Sequence, residues 1–85
     1  MSASDKREAL RKREGTFLVF ETTHLTMKVE NFLNKNGIGN RLFPKAKGVV
    51  SKCGLMVKVL ESDLERVKIL CENEKIVINE VVVVE

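Results

Sequence analysis

The fold is decided by the run Thr16-Phe17-Leu18-Val19-Phe20, a β-rich and almost wholly apolar stretch near the start of the chain. Such a run has the length of a strand and no polar face, so it predicts a central, buried strand. Residues 1–15 before it form a basic extension with five basic and three acidic side chains. Between Lys6 and Glu14 the apolar residues are Ala9 and Leu10, which give a helix no face to bury. We expect residues 1–15 to be a helical or disordered extension and residues 16–85 to be one domain.

A helix is predicted directly after the first strand. Thr22 or Thr23 can act as its N-cap, since a threonine hydroxyl can accept a hydrogen bond from the first turn. The apolar residues that follow fall at helical spacing: Leu25, Val29, Phe32 and Leu33. Gly37 ends the helix, because glycine readily adopts the left-handed conformation that terminates helices.

The second half of the chain repeats this alternation. Arg41–Phe43 is a short strand stopped by Pro44, and Leu55–Leu60 is a further strand. Ser62 and Glu65 have the spacing of a capping box that starts a second helix, and a valine-rich strand closes the chain at Ile76–Val84. The order strand, helix, strand, strand, helix, strand predicts an α+β fold of the ferredoxin-like split β-α-β type. Its four-stranded antiparallel sheet would carry both helices on one face.

Length and composition exclude several classes of protein. The 85 residues suffice for one small domain, and no apolar run approaches the length of a membrane span. Two cysteines and an N-terminus without a signal-peptide pattern lead us to expect a reducing, cytoplasmic location. Cys53, Cys71 and His24 form no paired metal-binding element, so we expect no metal and no cofactor.

The chemistry centres on Cys53. From Asn31 to Leu60 every formal charge is positive, and the nearest acids, Glu30 and Glu61, lie just outside this window. Neighbouring cations stabilise a thiolate, which is the reactive form of cysteine. The pattern predicts a thiol with a lowered pKa that is nucleophilic or handles anions. Cys71, in contrast, lies on the apolar stripe of the second helix and is expected in the core.

The stretch from Phe17 to Val84 resembles the selenium/sulfur carrier-like family of small bacterial and archaeal domains. The matching features are the first strand followed by Thr22-Thr23-His24, Glu30 in the helix, Gly37-Ile38 at its end, Pro44 after the next strand, and Cys53-Gly54 before the strand that follows. The chain departs from the family in the approach to the cysteine. Where the family commonly has a second proline, an arginine and a serine-rich segment, this chain has Ala46, Lys47 and Val50 with Ser51-Lys52.

The resemblance implies a thiol-based carrier or accessory protein that works with sulfur- or selenium-relay proteins. Cys53 would hold a persulfide or a selenosulfide, and Gly54 would leave room for a partner to approach the sulfur. His24 is the candidate base, because an imidazole at a helix N-terminus stays neutral and can take a proton. The candidate anion-binding groups are Lys45, Lys47, Lys52, Thr22 and Thr23.

Other functions stay open from sequence alone. The loop Lys45–Lys52 and the basic extension could bind the phosphates of RNA or DNA, although exposed aromatic residues for base stacking are scarce. An exposed edge strand, either Arg41–Phe43 or the valine-rich end, could join two copies of the chain. An enzyme acting alone is not favoured, because phosphate-binding glycine motifs, carboxylate pairs and a Ser-His-Asp order are missing from the sequence. Glu30 is better explained as a surface carboxylate than as a catalytic acid.

Overall fold

A four-stranded antiparallel sheet organises the part of the chain that the computed structural model describes, residues 8–45, 48 and 53–85. In chain order the elements are β1 (Gly15–Val19), α1 (Thr23–Lys35), β2 (Asn40–Pro44), β3 (Leu55–Val59), α2 (Leu64–Asn73) and β4 (Glu80–Val84). The strands lie in the order β2-β3-β1-β4 and every neighbouring pair is antiparallel. The predicted α+β class, the four-stranded sheet and the central position of the first strand are confirmed, while the finer ferredoxin-like assignment stays a prediction.

The main core lies between one face of the sheet and both helices. Leu18 and Phe20 from the first strand region pack with Val29 and Leu33 of α1 and with Val67 of α2. These side chains sit at the helical and strand spacings that the sequence displays, so burial of one stripe per helix explains the arrangement.

Helix α1 has the start and the end that were predicted. The Thr22 hydroxyl accepts a hydrogen bond from the Leu25 N–H at 3.1 Å, which identifies Thr22 as the N-cap. After the helix, Gly37 adopts a positive φ of 70°, and the Ile38 N–H donates to the Leu33 carbonyl at 2.9 Å. A left-handed residue at this point closes the last turn and directs the chain towards β2.

The predicted start of the second helix is wrong in detail. A 3-10 turn at Glu61–Asp63 comes first, and α2 begins at Leu64 with Asp63 as its cap residue and no side-chain capping bond. The Asp63 N–H donates to the Leu60 carbonyl at 2.9 Å. This bond of the 3-10 turn gives a backbone N–H at the start of the helical region a partner without a capping side chain. The last strand is also shorter than predicted and begins at Glu80, whereas Ile76 packs into the core.

The second face of the sheet is covered in part by the N-terminal segment, defined here as residues 8–14. Residues 8–11 are helical, and Leu10 is only 9% exposed, with its side chain close to Gly39. The expectation that this segment has nothing to bury is therefore wrong, because Leu10 is buried.

Lys58 holds this N-terminal segment. The side chain is 2% exposed, and its Nζ donates hydrogen bonds to the carbonyls of Ala9 at 2.6 Å, Lys12 at 2.5 Å and Glu14 at 2.5 Å. Carbonyls that follow a short helix lack intrahelical partners, so one ammonium group satisfies several of them. Nζ also lies 5.8 Å from the centre of the Phe17 ring, a cation–π distance.

Candidate thiol site

Cys53 lies immediately before β3 and faces the first two turns of α1. Its side chain is fully buried, with 0% exposure. The Sγ atom is 3.0 Å from Oγ1 of Thr26, which is itself buried. Thr26 occupies the same face of α1 as the core residues Val29 and Leu33, so regular helical geometry places its hydroxyl inside the molecule.

Thr26 connects the thiol to the backbone of α1. Its Oγ1 donates to the Thr22 carbonyl at 2.9 Å, and that carbonyl also accepts the Thr26 N–H at 3.1 Å. A threonine hydroxyl carries one proton. While Oγ1 donates to Thr22, it accepts the S–H of Cys53; when the sulfur is ionised, the same hydroxyl can turn and donate to the thiolate instead. Thr26 is therefore arranged to partner both protonation states of Cys53.

The backbone of β3 also contacts the sulfur. The Leu55 N–H donates to Sγ at 3.4 Å, and Sγ lies 3.5 Å from the Leu55 carbonyl, which it can reach as a donor when protonated. The sulfur therefore has a hydrogen-bond acceptor for the neutral thiol and an N–H donor for the thiolate in one short turn.

These contacts decide the acidity of Cys53. Burial by itself raises the pKa of the thiol, but hydrogen bonds from Thr26, Leu55 and Thr23 and the positive charge of Lys45 act in the opposite direction. Together they outweigh the burial and hold the pKa of Cys53 below its ordinary value of 9.0. The site thus makes the buried Cys53 a stronger acid than an ordinary thiol.

The start of α1 also stabilises the thiolate form of Cys53. Regular helix geometry leaves the N–H groups of Thr23 and His24 without intrahelical acceptors, and the first turn carries no acidic side chain. The positive end of the helix dipole therefore lies next to the sulfur with no carboxylate in that turn to oppose it.

The predicted site residues divide into three groups. Thr22, Thr23 and Lys45 are brought to the thiol region, the first as helix cap and the other two through their effects on Cys53. His24 is exposed on the first turn, and the hydrogen bonds described at Sγ come from Thr26, Leu55 and Thr23. Lys47 and Lys52 lie outside the described residues.

Gly54 and Glu30 have no described bond to the thiol. Gly54 is exposed, and a Cβ atom added there would meet open space, so the backbone beside Cys53 is accessible from solvent even though the sulfur is not. The Gly54 carbonyl accepts the Lys45 N–H at 2.8 Å, which extends the β2–β3 pairing to the cysteine. Glu30 is half-buried on α1.

Cys71 belongs to the core, as predicted. It is 1% exposed, packs with the helix-side cluster, and burial raises the pKa of its thiol. Both cysteines are free thiols. The pKa of Cys53 is therefore lowered and that of Cys71 is raised, so Cys53 is the thiol that ionises more readily.

Sequence reasoning missed Thr26 and Lys58. Thr26 lies three positions before Val29 and seven before Leu33, so helical spacing places its hydroxyl on the buried face of α1. A buried hydroxyl needs a hydrogen-bond partner. Lys58 likewise interrupts an apolar strand at a position that pairs with Phe17 of the central strand. The sequence therefore indicates that Thr26 and Lys58 each need a hydrogen-bond partner, but it does not identify that partner.

Fold and site together describe a small α+β domain in which a buried thiol, Cys53, contacts the first turn of α1. The chain belongs to the family described as "Putative Se/S carrier protein-like", which it matches over residues 16–83. This match confirms the resemblance seen in the sequence and covers both named helices and, except for the terminal residues Gly15 and Val84, every strand. Comparisons with curated proteins and with solved structures gave no match.

Within residues 8–45, 48 and 53–85, no helix is both long enough and apolar enough to cross a bilayer. In the same described ranges, no group of three His, Cys, Asp or Glu side chains is placed to hold a metal ion.

Proposed function

We propose that this protein carries sulfur or selenium on Cys53, as a persulfide or a selenosulfide, between partner proteins of a relay. The observation that supports this most strongly is the contact of the buried Sγ with Thr26 at 3.0 Å and with the Leu55 N–H, in a setting that lowers the pKa of the thiol. Membership of the Se/S carrier-like family points to the same chemistry.

The loading step needs a thiolate and a donor that already carries the atom. The Cys53 thiolate attacks the terminal sulfur of a donor persulfide, R–S–SH. The new S–S bond forms on Cys53, the donor S–S bond breaks, and the donor leaves as its thiolate. No net oxidant or reductant is consumed. With a donor R–S–SeH, the same displacement places selenium on Cys53.

The Thr26 hydroxyl would keep a hydrogen bond to the sulfur as Cys53 loses its proton. In the resting thiol its hydroxyl donates to the Thr22 carbonyl and accepts from Sγ, and on ionisation it donates to the sulfur. Lys45 lowers the pKa of Cys53 through its charge and would likewise favour the anionic persulfide. His24, exposed on the first turn of α1, stays a candidate for accepting the proton that the Cys53 thiol releases before the attack.

Burial of the sulfur fits a carrier better than a free reagent. A persulfide that is exposed to cellular thiols is reduced by the same exchange that forms it. Because Sγ has no exposed surface in this conformation, a partner would reach it only after a local rearrangement, and the neighbouring Gly54 is exposed. We propose a cytoplasmic location, where free thiols such as these two persist.

Nucleic-acid binding is not favoured as an alternative. The family match points to sulfur and selenium chemistry instead. Lys45, a cation of the predicted loop Lys45–Lys52, lowers the pKa of the Cys53 thiol.

Intact-mass analysis tests the proposal. Cys71→Ala is used as background, and the chain is incubated with glutathione persulfide or its selenium analogue at neutral pH. We expect the mass to rise by one sulfur or one selenium atom, and the atom to leave again when an acceptor thiol is added. Cys53→Ser in the same background is the matched control and should gain nothing. Failure of the Cys71→Ala protein to load, or equal loading of the control, would contradict the carrier function.

A further inference from the structure

The two edges of the sheet differ in how they are protected. Edge strand β2 contains Pro44, which has no N–H to offer a new neighbour, and the exposed cation Arg41. Proline and charged side chains are the usual devices that keep an edge strand from pairing with another chain. The β2 edge is therefore closed to such pairing.

Edge strand β4 is less protected. It reads Glu80-Val81-Val82-Val83-Val84, with no proline, lysine or arginine; its one charged residue, Glu80, is at its start, and Glu85 follows its end. In the part of the chain that the structure describes, β4 pairs on one side only, with β1, over all five residues. Alternate residues of such a strand direct their N–H and C=O groups away from the sheet.

The side chains of β4 are exposed to a degree that is unusual for valine. Val83 is 66% exposed and Val81 is 37% exposed, and both lie on the helix side of the sheet. The four consecutive valines of this edge are strongly β-forming and carry no charge, and these properties favour strand addition.

We propose that β4 pairs with β4 of a second copy of this chain, antiparallel and centred on Val82. This register is the one in which all five residues of each strand find a partner. Val82 faces its own copy, Val81 faces the other copy's Val83, and Glu80 faces the other copy's Val84. The two strands are related by a twofold axis, which closes the pairing at a dimer.

Charge supports the antiparallel direction. In-register parallel pairing would set Glu80 beside Glu80 and Glu85 beside Glu85, and like charges directly opposite each other destabilise a sheet. In the antiparallel arrangement Glu80 faces valine and Glu85 faces Asn79, so no two carboxylates are opposite. Opposed residues point to the same face of a sheet, so the helices of both copies lie on one side of a continuous eight-stranded sheet.

The interface would be small, so the dimer should form reversibly with concentration. Sedimentation velocity of the full chain under reducing conditions measures this directly over the micromolar to millimolar range. We expect Val83→Lys to weaken the dimer about tenfold or more, because it replaces two cross-strand valine pairs by a lysine facing valine. Val77→Lys is the matched control: Val77 is 72% exposed and precedes the strand, so the dimer should be unchanged.

A double substitution tests the register itself. In Val81→Glu/Val83→Lys, the proposed register sets each introduced glutamate opposite the introduced lysine of the other copy, and the dimer should recover. A chain that is monomeric at every concentration would overturn the proposal, and so would a dimer that Val83→Lys leaves intact. Hydrogen exchange of the unmodified chain gives a readout that needs no variant: protection of residues 80–84 should rise with protein concentration, and its absence would equally overturn the pairing. None of these results depends on the chemistry of Cys53.

Discussion

Replacing Thr26 by valine should make Cys53 a weaker acid. Valine has nearly the shape of threonine, so it keeps the packing of the buried face of α1 but removes the hydroxyl that lies 3.0 Å from Sγ. The thiolate then loses a hydrogen bond to a charged group, whereas the thiol loses only a neutral one. The variant should therefore raise the pKa of Cys53.

The size of the effect follows from these two losses. A hydrogen bond to a charged group contributes about 1.5–3 kcal/mol and a neutral one about 1 kcal/mol, so the difference is roughly 0.5–2 kcal/mol, with a midpoint of about 1.3 kcal/mol. This corresponds to a roughly tenfold change in the ionisation equilibrium, because 1.4 kcal/mol is a factor of about ten. At a pH below the pKa, Thr26→Val should react with an alkylating reagent about tenfold more slowly.

Alkylation of the native protein across a range of pH, with Cys71→Ala as background, is the assay. The rate at high pH, where the thiol is fully ionised in both proteins, reports access to the buried sulfur and should be unchanged. Thr26→Ser keeps the hydroxyl and is the matched control, so its profile should follow the parent. If Thr26→Val leaves the profile where it was, or if Thr26→Ser shifts it equally, the hydroxyl does not set the acidity of Cys53.

Three further predictions concern stability, each measured as the free energy of unfolding in urea. Lys58→Met should lower the free energy of unfolding by about 2 kcal/mol and loosen the N-terminal segment, since it removes the ammonium that donates to three backbone carbonyls. The matched control, Lys28→Met at an exposed position, should change stability little. Equal losses in the two variants would refute this role of Lys58. Lys75→Gly should stabilise the chain by about 1 kcal/mol, because Lys75 holds a left-handed φ of 59° after α2; a loss would show that its side chain matters more. Burial raises the pKa of Cys71 above 9.0, so the folded state keeps a proton that the unfolded state releases, and stability should fall as pH rises above 9.0. Cys71→Ala should remove that component of the decline, and an unchanged pH dependence would contradict it.

The sequence predicts the sheet and the helices well where one physical signal dominates. The run at residues 16–20 has no polar face, so it becomes the central strand. Thr22 is the cap and Gly37 the terminator of α1, because a hydroxyl before an apolar stripe and a glycine after it leave few alternatives.

Prediction fails where two local solutions compete or where a contact is distant in the chain. Ser62 and Glu65 have capping-box spacing, yet a 3-10 turn satisfies the same backbone groups, and α2 starts at Leu64. The N-terminal segment offers little apolar surface of its own, but Lys58, over forty residues away, binds its carbonyls. Local pattern carries no information about such a partner.

The candidate site shows the same division. The predicted direction of the Cys53 pKa agrees with the structure, but hydrogen bonds lower this pKa more than the predicted cause, positive charge, to which Lys45 contributes. The hydrogen bond from Thr26, which precedes Lys45 among the effects that lower this pKa, joins residues that are 27 positions apart and becomes visible only once α1 is packed beside β3. Burial of the sulfur is likewise a product of that packing.

Site-mapped mass spectrometry of the unmodified chain tests the central claim most directly. The native protein is treated with a persulfide donor at neutral pH, and the peptides that contain Cys53 and Cys71 are compared. Because the pKa of Cys53 is lowered and that of Cys71 is raised, the added sulfur should be found on Cys53, with Cys71 unlabelled. Equal labelling of the two thiols, or labelling that appears only after the chain is unfolded, would contradict the assignment of Cys53 as the carrier.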